Sequence, residues 1–450
     1  MRNPMNLLGC LVYTSVVLFC HTMSSNESKP YNVLLLMTDE HNARVTGCYG
    51  DSLVQTPTLD GLAEEGVRFT ANYCQNPICV PSRVSMVGGR MPSQLGCFGN
   101  SDIPEYQNMT TLADAFISAG YRTVWLGKEH WGNPRFQEVT NSTYSKNEET
   151  KKTGRTPQES RVNPLPKETN AEHQITDHAL AFLEKEGDKP FFLGVSFMKP
   201  HFPFTIQQEF YDLYKDKVSL PAVSDDLIAS LPEVSKKERE KYNHAAATSE
   251  ELLRATALYY GMVTFVDEEF GRIIKKLDEL GLRENTIILY TSDHGEMLGE
   301  HGIWYKNSFY EGSVRVPFIW SFPKCLPKGR VIDTPAMNMD IFPTLSELCE
   351  LPMAEGLEGT SLVPVMTGQD NGKNRIALSE NYRGGIAGRM IRTKRWKYFF
   401  YSNGEEYLYD LIADPSEEHN LVAAPEHRRL VRQLRQQASD GWIQEPPEKT

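Results

Sequence analysis

The sequence predicts an α/β protein: a large, mostly parallel sheet flanked by helices, then a smaller C-terminal α+β subdomain of antiparallel strands and one helix. Two observations carry this. Apolar runs of strand length alternate with amphipathic stretches along most of the chain, the pattern of parallel strands joined by helical crossovers. After about residue 372 the pattern changes to closely spaced aromatic strands and a last amphipathic stretch.

The first 25 residues stand apart from the fold. Arg2, the apolar "MNLLGCLVYTSVVLFC" and the small residues of "HTMSS" read as an export signal, too short for a membrane span. "YNVLLLMTDE" is a continuous apolar run, a buried strand that delivers Asp39 and Glu40 at its carboxyl end. "TPTLDGLAEEG" is a helix with a Thr58 cap and a stop at Gly66. In "CVPSR", Pro81 suits the first turn of a helix, and Val80 before it is expected to be extended.

"TLADAFISAGYRTVWLG" reads as helix, turn at Gly120 and strand, and "TDHALAFLEKEGDKPFFLGVSF" repeats the unit. Val263, Val266, Phe270, Ile273, Ile274, Leu277 and Leu280 form a helical stripe, with the strand "TIILYTSD" directly after. Residues 133–172 and 222–252 are polar with little periodicity and read as loops or insertions. "RIALSENY", "GRMIRTKRWKYFFY" and "EEYLYDL" are strands, and "PEHRRLVRQLRQQASDGW" is a helix. The expected division is a signal peptide over 1–25, a main domain over 31–372 and a C-terminal subdomain over 373–450.

The composition narrows the partners. The 450 residues carry a net charge of −12 without a block of Lys and Arg, which argues against a nucleic-acid surface. No later run is long and apolar, so stable membrane insertion is not expected. Outside the leader's Cys10 and Cys20, the six cysteines Cys48, Cys74, Cys79, Cys97, Cys325 and Cys349 are too few for a dense disulfide scaffold.

Polar groups recur just after the strands, where open α/β sheets gather their ligand sites. Asp39, Glu40 and Asp293, with His294, suit a hard divalent cation, although strand-end acids also cap helices. "GKEHWG" supplies Lys128 and His130, "SFMKPHFPF" Lys199 and His201, and "SDHGEMLGEHGIWYKNSFYEG" adds Lys306. Such cations and imidazoles neutralise an anionic transition state and protonate a leaving oxygen. Cys79 stands at a helix start that welcomes an anion, with Arg83 able to add a fork of donors. It reads as a disulfide half (Cys74 is near in sequence), a thiol nucleophile, or a precursor of another group. A thiolate is a poor partner for an oxygen-preferring ion.

These residues in this order resemble the type I, formylglycine-dependent sulfatases of the alkaline-phosphatase-like superfamily, over roughly residues 31–440. "CVPSR" fits the C-x-P-S-R modification signature and is followed by "GGR"; "GKEHWG", "KPHFP", "SDHGEMLGEHG" and the lysine before "YEGSVRVPF" follow in the family's order. The resemblance implies that Cys79 is oxidised to Cα-formylglycine by a formylglycine-generating or sulfatase-maturating enzyme. It implies a hydrated aldehyde that attacks the sulfur of a sulfate ester, with a second hydroxyl to expel sulfate. Carried over, the metal ligands are Asp39, Glu40, modified Cys79, Asp293 and His294. Arg83 holds the modified residue, Lys128 and Lys306 clamp sulfate oxygens, and His130 and His201 serve hydrogen bonding and proton transfer. Asn100 lies where some members place a site amide.

The chain departs from the family in having Glu40 where many members have aspartate, and His294 where others have asparagine. Ca2+ is the expected ion, with Mg2+ or Mn2+ open. The expected function is a secreted sulfatase acting on a sulfated carbohydrate, periplasmic or otherwise extracytoplasmic. Arg383, Arg389 and Glu380 are candidate sugar or sulfate contacts, or plain surface charges. The alternatives are a phosphonate or phosphodiester hydrolase of the same superfamily and a non-catalytic sulfated-glycan binding protein.

Overall fold

The computed structural model describes residues 30–106, 109–132, 135–140, 156–186 and 189–444. The expected signal peptide lies outside them. The main sheet has eight strands: β1 (Asn32–Asp39), β2 (Val67–Phe69), β4 (Arg122–Gly127), β5 (Glu138–Thr140), β6 (Phe191–Pro200), β7 (Thr286–Ser292), β8 (Phe318–Ser321) and β9 (Arg330–Ile332). Their order is β5-β4-β6-β1-β7-β8-β2-β9. All neighbours run parallel except β8, which is antiparallel to both β7 and β2.

β1 sits between β6 and β7, so both its faces are covered and every residue from Asn32 to Asp39 is buried. That is why it reads as one unbroken apolar run. The two-residue alternation sends Val33, Leu35 and Met37 into one core and Leu34 and Leu36 into the core on the other face. The Ser249–Glu279 helix covers the second face through Val266, Phe270, Ile273 and Leu277, and a Thr248–Glu251 capping box fixes its start.

A second sheet is antiparallel, with β11 (Ala377–Arg383), β12 (Ile386–Arg392), β13 (Trp396–Tyr401) and β14 (Glu406–Asp410) side by side in chain order. The Arg428–Ser439 helix packs Leu434 and Ala438 on it against Ile391, Tyr398, Phe400 and Leu408. A short ribbon of β3 (Asn72–Tyr73) and β10 (Ala336–Met337) completes the strands among the described residues. No helix among those residues is long and apolar enough to cross a membrane.

Four local expectations need correction. The Pro57–Glu64 helix is capped at Thr56, not Thr58; the Thr58 and Leu59 amides are instead taken by Asp267 at 2.9 Å each. Val80 is helical, because the Cys79–Gly88 helix starts one residue before it and Asn100 Oδ1 accepts its N–H at 3.1 Å. Pro81 then falls at the third helical position, where an N–H has no partner within the helix to lose. β5 lies inside the segment read as a loop; three residues pairing on one side only leave no periodicity. Residues 222–252 hold the helices Asp225–Ala229 and Glu233–Lys241, whose charged sequences bury little beyond Val234, Ser235 and Glu238.

Candidate active site

β4, β6, β1 and β7 are consecutive neighbours in the sheet, so their carboxyl ends share one edge. Lys128 and His130 follow β4, His201 follows β6, Asp39 ends β1, and Asp293 and His294 follow β7. The Cys79–Gly88 helix, fully buried, points its first residue at this edge. One ligand atom from each of Asp39, Cys79, Asp293 and His294 lies within 4.8 Å of all the others. His294 Nε2 is 3.2 Å from Cys79 Sγ, 3.5 Å from Asp39 Oδ1 and 3.7 Å from Asp293 Oδ1.

Arg83 ties the cluster together from one helical turn below Cys79. Its Nε donates to Asp293 Oδ2 at 2.7 Å, Nη2 reaches Asp39 Oδ2 at 3.4 Å, and Nη1 donates to the Lys128 carbonyl at 2.8 Å and Ser196 Oγ at 3.0 Å. Asp293 Oδ1 also accepts the backbone N–H groups of Glu40 and His294, at 3.2 and 2.9 Å. Glu40 turns its Oε2 toward His201 Nε2 (3.3 Å) and Lys306 Nζ (3.5 Å), while its buried Oε1 has no hydrogen-bond partner.

Burial and the neighbouring sulfur push the Asp39 carboxyl up, but Lys128, His201 and Lys306 outweigh them and hold it well below the usual carboxylate range. Burial raises Glu40 far above that range, only partly offset by Lys306. Asp293 is also raised, by burial and by Asp39, against Arg83. Burial would raise the Cys79 thiol too, yet Lys128, Lys306 and His294 bring it well below its ordinary value. The oxygens of Asp39 and Asp293 and the His294 imidazole, converging on one point, fit a divalent cation with oxygen and nitrogen ligands. Sulfur alone is out of keeping with that donor set.

The opposite side of Cys79 is cationic. Lys306 Nζ lies 3.3 Å from Sγ and 2.8 Å from His201 Nε2. Lys128 Nζ is 3.9 Å from Sγ and rests on Asp39 Oδ2. His201 stacks on Phe202 with ring centroids 4.2 Å apart, and its Nδ1 meets the Phe202 carbonyl. That bond assigns the proton to Nδ1 and leaves Nε2 to accept from Lys306. Burial, with Lys306 beside it, holds His201 down to about 4, so the ring is neutral. His130, exposed and at positive φ, stands near enough to Cys79 to help lower its thiol.

The structure thus gathers Asp39, Glu40, Cys79, Arg83, Lys128, His130, His201, Asp293, His294 and Lys306 at one edge. Asn100 reaches the site only through the Val80 N–H. Lys199, the third strand-end lysine, turns away to Glu172 at 3.8 Å. Arg389 and Glu380 are not open contacts: they form a buried pair at 2.5 Å, with Glu380 also bound to Ser93. Arg383 ends β11 and pairs with Glu238. Cys74 and Cys79 are both free thiols, so the disulfide reading of that pair falls. Sequence reasoning missed Glu296. It is buried, accepts the N–H groups of Leu298 and Tyr305 at 2.9 and 2.6 Å, and so folds the loop that carries Lys306. It stands in the "SDHGE" stretch, where only the neighbouring Asp293 and His294 attracted notice.

The fold is shared with solved hydrolases of the alkaline-phosphatase-like class. A solved phosphonate monoester hydrolase of Agrobacterium radiobacter superposes with a TM-score of 0.81 at 23% identity, covering 90% of this chain and 94% of that one. A structure solved with its substrate D-glucosamine-2-N,6-O-disulfate superposes with a TM-score of 0.75 at 24% identity, covering 94% and 100%. Within that class the sequence is specific. The sulfatase family model matches residues 31–351, and the model for the C-terminal part of N-sulphoglucosamine sulphohydrolase matches 299–442. An ulvan-active sulfatase of Formosa agariphila is 32% identical over 428 residues, 90% of this chain and 80% of that protein. The chain belongs to the sulfatase family and is a sulfuric ester hydrolase.

Proposed function

We propose that this enzyme removes sulfate from a carbohydrate outside the cytoplasm, using a formylglycine made from Cys79 and a divalent cation, Ca2+ before Mg2+ or Mn2+. The observation that carries the reading is the position of the Cys79 side chain, between Asp39, Asp293 and His294 on one side and Lys128 and Lys306 on the other. Its sulfur marks where the oxygens of a formylglycine hydrate would stand. The hydrate would supply one hydroxyl to attack sulfur and a second to release sulfate. Asp39, Asp293 and His294, with Glu40 adjacent, would hold the cation, which would supply positive charge that lowers the pKa of the attacking hydroxyl.

The remaining residues act on the substrate. Lys128 and Lys306 flank the reacting position and take the non-bridging sulfate oxygens, while the charge that grows as the ester bond breaks falls on the leaving oxygen. Arg83 is fixed by two carboxylates and keeps the cluster in place. Lys306 and His201 form one proton-holding pair: the proton rests on Lys306, and neutral Nε2 of His201 faces it. That pair protonates the departing alcohol, and His130 stands beside residue 79 at the rim. The carbohydrate reading is supported by the ulvan-active relative, and the extracytoplasmic reading by the leader-like N-terminus.

The test uses protein from a host that carries the maturation enzyme. Mass spectrometry of the tryptic peptide Phe69–Arg83 should show CH2SH replaced by CHO at Cys79. The same protein should turn over 4-nitrophenyl sulfate and sulfated sugars faster than phenyl phosphonate esters. An intact thiol in active protein would sink the formylglycine mechanism, and a large preference for the phosphorus esters would sink the sulfate reading. N-terminal sequencing of the mature chain checks export.

A further inference from the structure

The Glu233–Lys241 helix lies in the segment whose sequence reads as a mere connection, yet it places Glu238 at a junction of three elements. Glu238 is buried. Its Oε2 accepts from Asn307 Nδ2 at 2.8 Å, and its Oε1 accepts from Arg383 Nε at 2.8 Å. Asn307 directly follows Lys306. Its carbonyl accepts Asn381 Nδ2 at 3.1 Å, and its N–H donates to Pro77, two residues before Cys79, at 3.3 Å. One carboxylate therefore separates the guanidinium of Arg383 from the residue beside the sulfate-holding lysine.

The geometry suits a second recognition point. Arg383 has 36% of its side chain exposed, against 5% for Glu238. Among the described residues the pair uses Nε of the guanidinium, which leaves the two terminal nitrogens of this partly exposed side chain for another acceptor. Arg383 closes β11 against Ile386 of β12, through a turn made by Gly384 and Gly385. Both glycines have positive φ, and a Cβ built on either meets nothing within 4 Å, so the turn stands in open space. A guanidinium locked at Nε by a buried acid is pre-organised and gives up little rotamer freedom when its outer edge binds an oxyanion.

We infer that Arg383, positioned by Glu238, binds a second anionic group of the sugar, so that the preferred substrate carries a further sulfate or a carboxylate near the ester that is cleaved. This deepens the carbohydrate reading and rests on it. Arg383 is a specificity residue and Glu238 a positioning residue; neither touches the reacting atoms.

The test compares kcat/KM of wild type on three regioisomer panels: neutral monosulfated hexoses, their disulfated counterparts, and monosulfated disaccharides carrying a uronate. Wild type should prefer the disulfated or the uronate panel, and which one it prefers distinguishes the two sources of the anion. Arg383→Ala and Glu238→Gln should cut the ratio of the preferred panel to the neutral one by about ten- to a hundred-fold, the weight of one lost charge-assisted contact. Arg383→Lys should restore part of the ratio. If Glu238→Gln misfolds, as its melting temperature would reveal, the solvent-side Arg383 pair still decides. Equal wild-type efficiency on neutral and doubly charged sugars, or an unchanged ratio in the Arg383 variants, overturns the inference while leaving a carbohydrate sulfatase. Turnover of 4-nitrophenyl sulfate with none of the sugars cleaved overturns the carbohydrate reading and this inference with it.

Discussion

Replacing Arg83 by methionine keeps the aliphatic stem and removes the guanidinium. Four contacts go: Asp293 at 2.7 Å, the Lys128 carbonyl at 2.8 Å, Ser196 at 3.0 Å and Asp39 at 3.4 Å. Both acids are fully buried, and stripping one partner from a buried pair typically costs about 3–5 kcal/mol. The lower end applies here. Asp293 keeps two backbone donors, from Glu40 and His294, and Asp39 keeps Lys128. Asp293, already raised by burial, can also take up a proton and so limit the loss. About 3 kcal/mol in a chain of this size should lower the melting temperature by roughly 3–6 °C. Activity should fall as well, because Arg83 also holds the Lys128 carbonyl and hence the start of the segment that carries Lys128 and His130; a hundredfold loss of kcat/KM corresponds to about 2.7 kcal/mol. Differential scanning calorimetry and 4-nitrophenyl sulfate kinetics measure the two. A variant that melts like wild type and retains its kcat/KM would refute the claim that Arg83 neutralises and orders the acid cluster.

Dialysis against a chelator should abolish turnover and lower the melting temperature, and Ca2+ at a hundred times its Kd should restore about 2.7 kcal/mol; turnover that survives exhaustive chelation counts against a metal at Asp39, Asp293 and His294. Gly295→Ala should cost about 1–3 kcal/mol and lower kcat, since its Cβ would stand 2.0 Å from the Gly312 carbonyl, a backbone atom, between His294 and Glu296; unchanged melting and kcat would count against it. His244 is held down to about 3 by burial and by Arg239, so the fold favours the neutral ring. Its contribution is complete above the ordinary histidine value and is lost as pH falls from about 6.5 toward 3, by at most about 5 kcal/mol. His244→Phe, which keeps the stack on Tyr242, should flatten the pH dependence of stability across that window, as urea titrations at several pH values would show.

Much of this was legible in the sequence because the sheet interior leaves an unmistakable trace. β1, β6 and β7 are covered on both faces, so each is a continuous apolar run that stops where the polar site residues begin. The strand-end rule then puts Asp39, Lys128, His201 and Asp293 on one edge without knowledge of the strand order. The same rule failed for Lys199: it says which residues lie at the edge but not which way each side chain turns, and Glu172 captured this one. Short elements held by tertiary contacts left no trace at all. β5 is three residues long, and the Glu233–Lys241 helix shows a charged face with hardly an apolar one. Glu238 and Arg383 are 145 positions apart, and nothing local in either stretch foretells the pair.

The proposed conversion of Cys79 can be followed through the charges around it. While residue 79 is a cysteine, Arg83, Lys128 and Lys306 face Asp39, Asp293 and a sulfur whose pKa those lysines lower, with Glu40 pushed toward its neutral form. Such a site is self-neutralised and has little attraction for sulfate, and Lys128 accordingly rests on Asp39. Under the proposed conversion the sulfur disappears. Lys128 and Lys306 are then left in excess on one side, and Asp39 and Asp293 are short of positive charge on the other. The first imbalance is met by an anionic ester and the second by a divalent cation, with the reacting residue between them. Under that proposal one change of side chain would turn a closed ion cluster into a site with two opposite vacancies of charge.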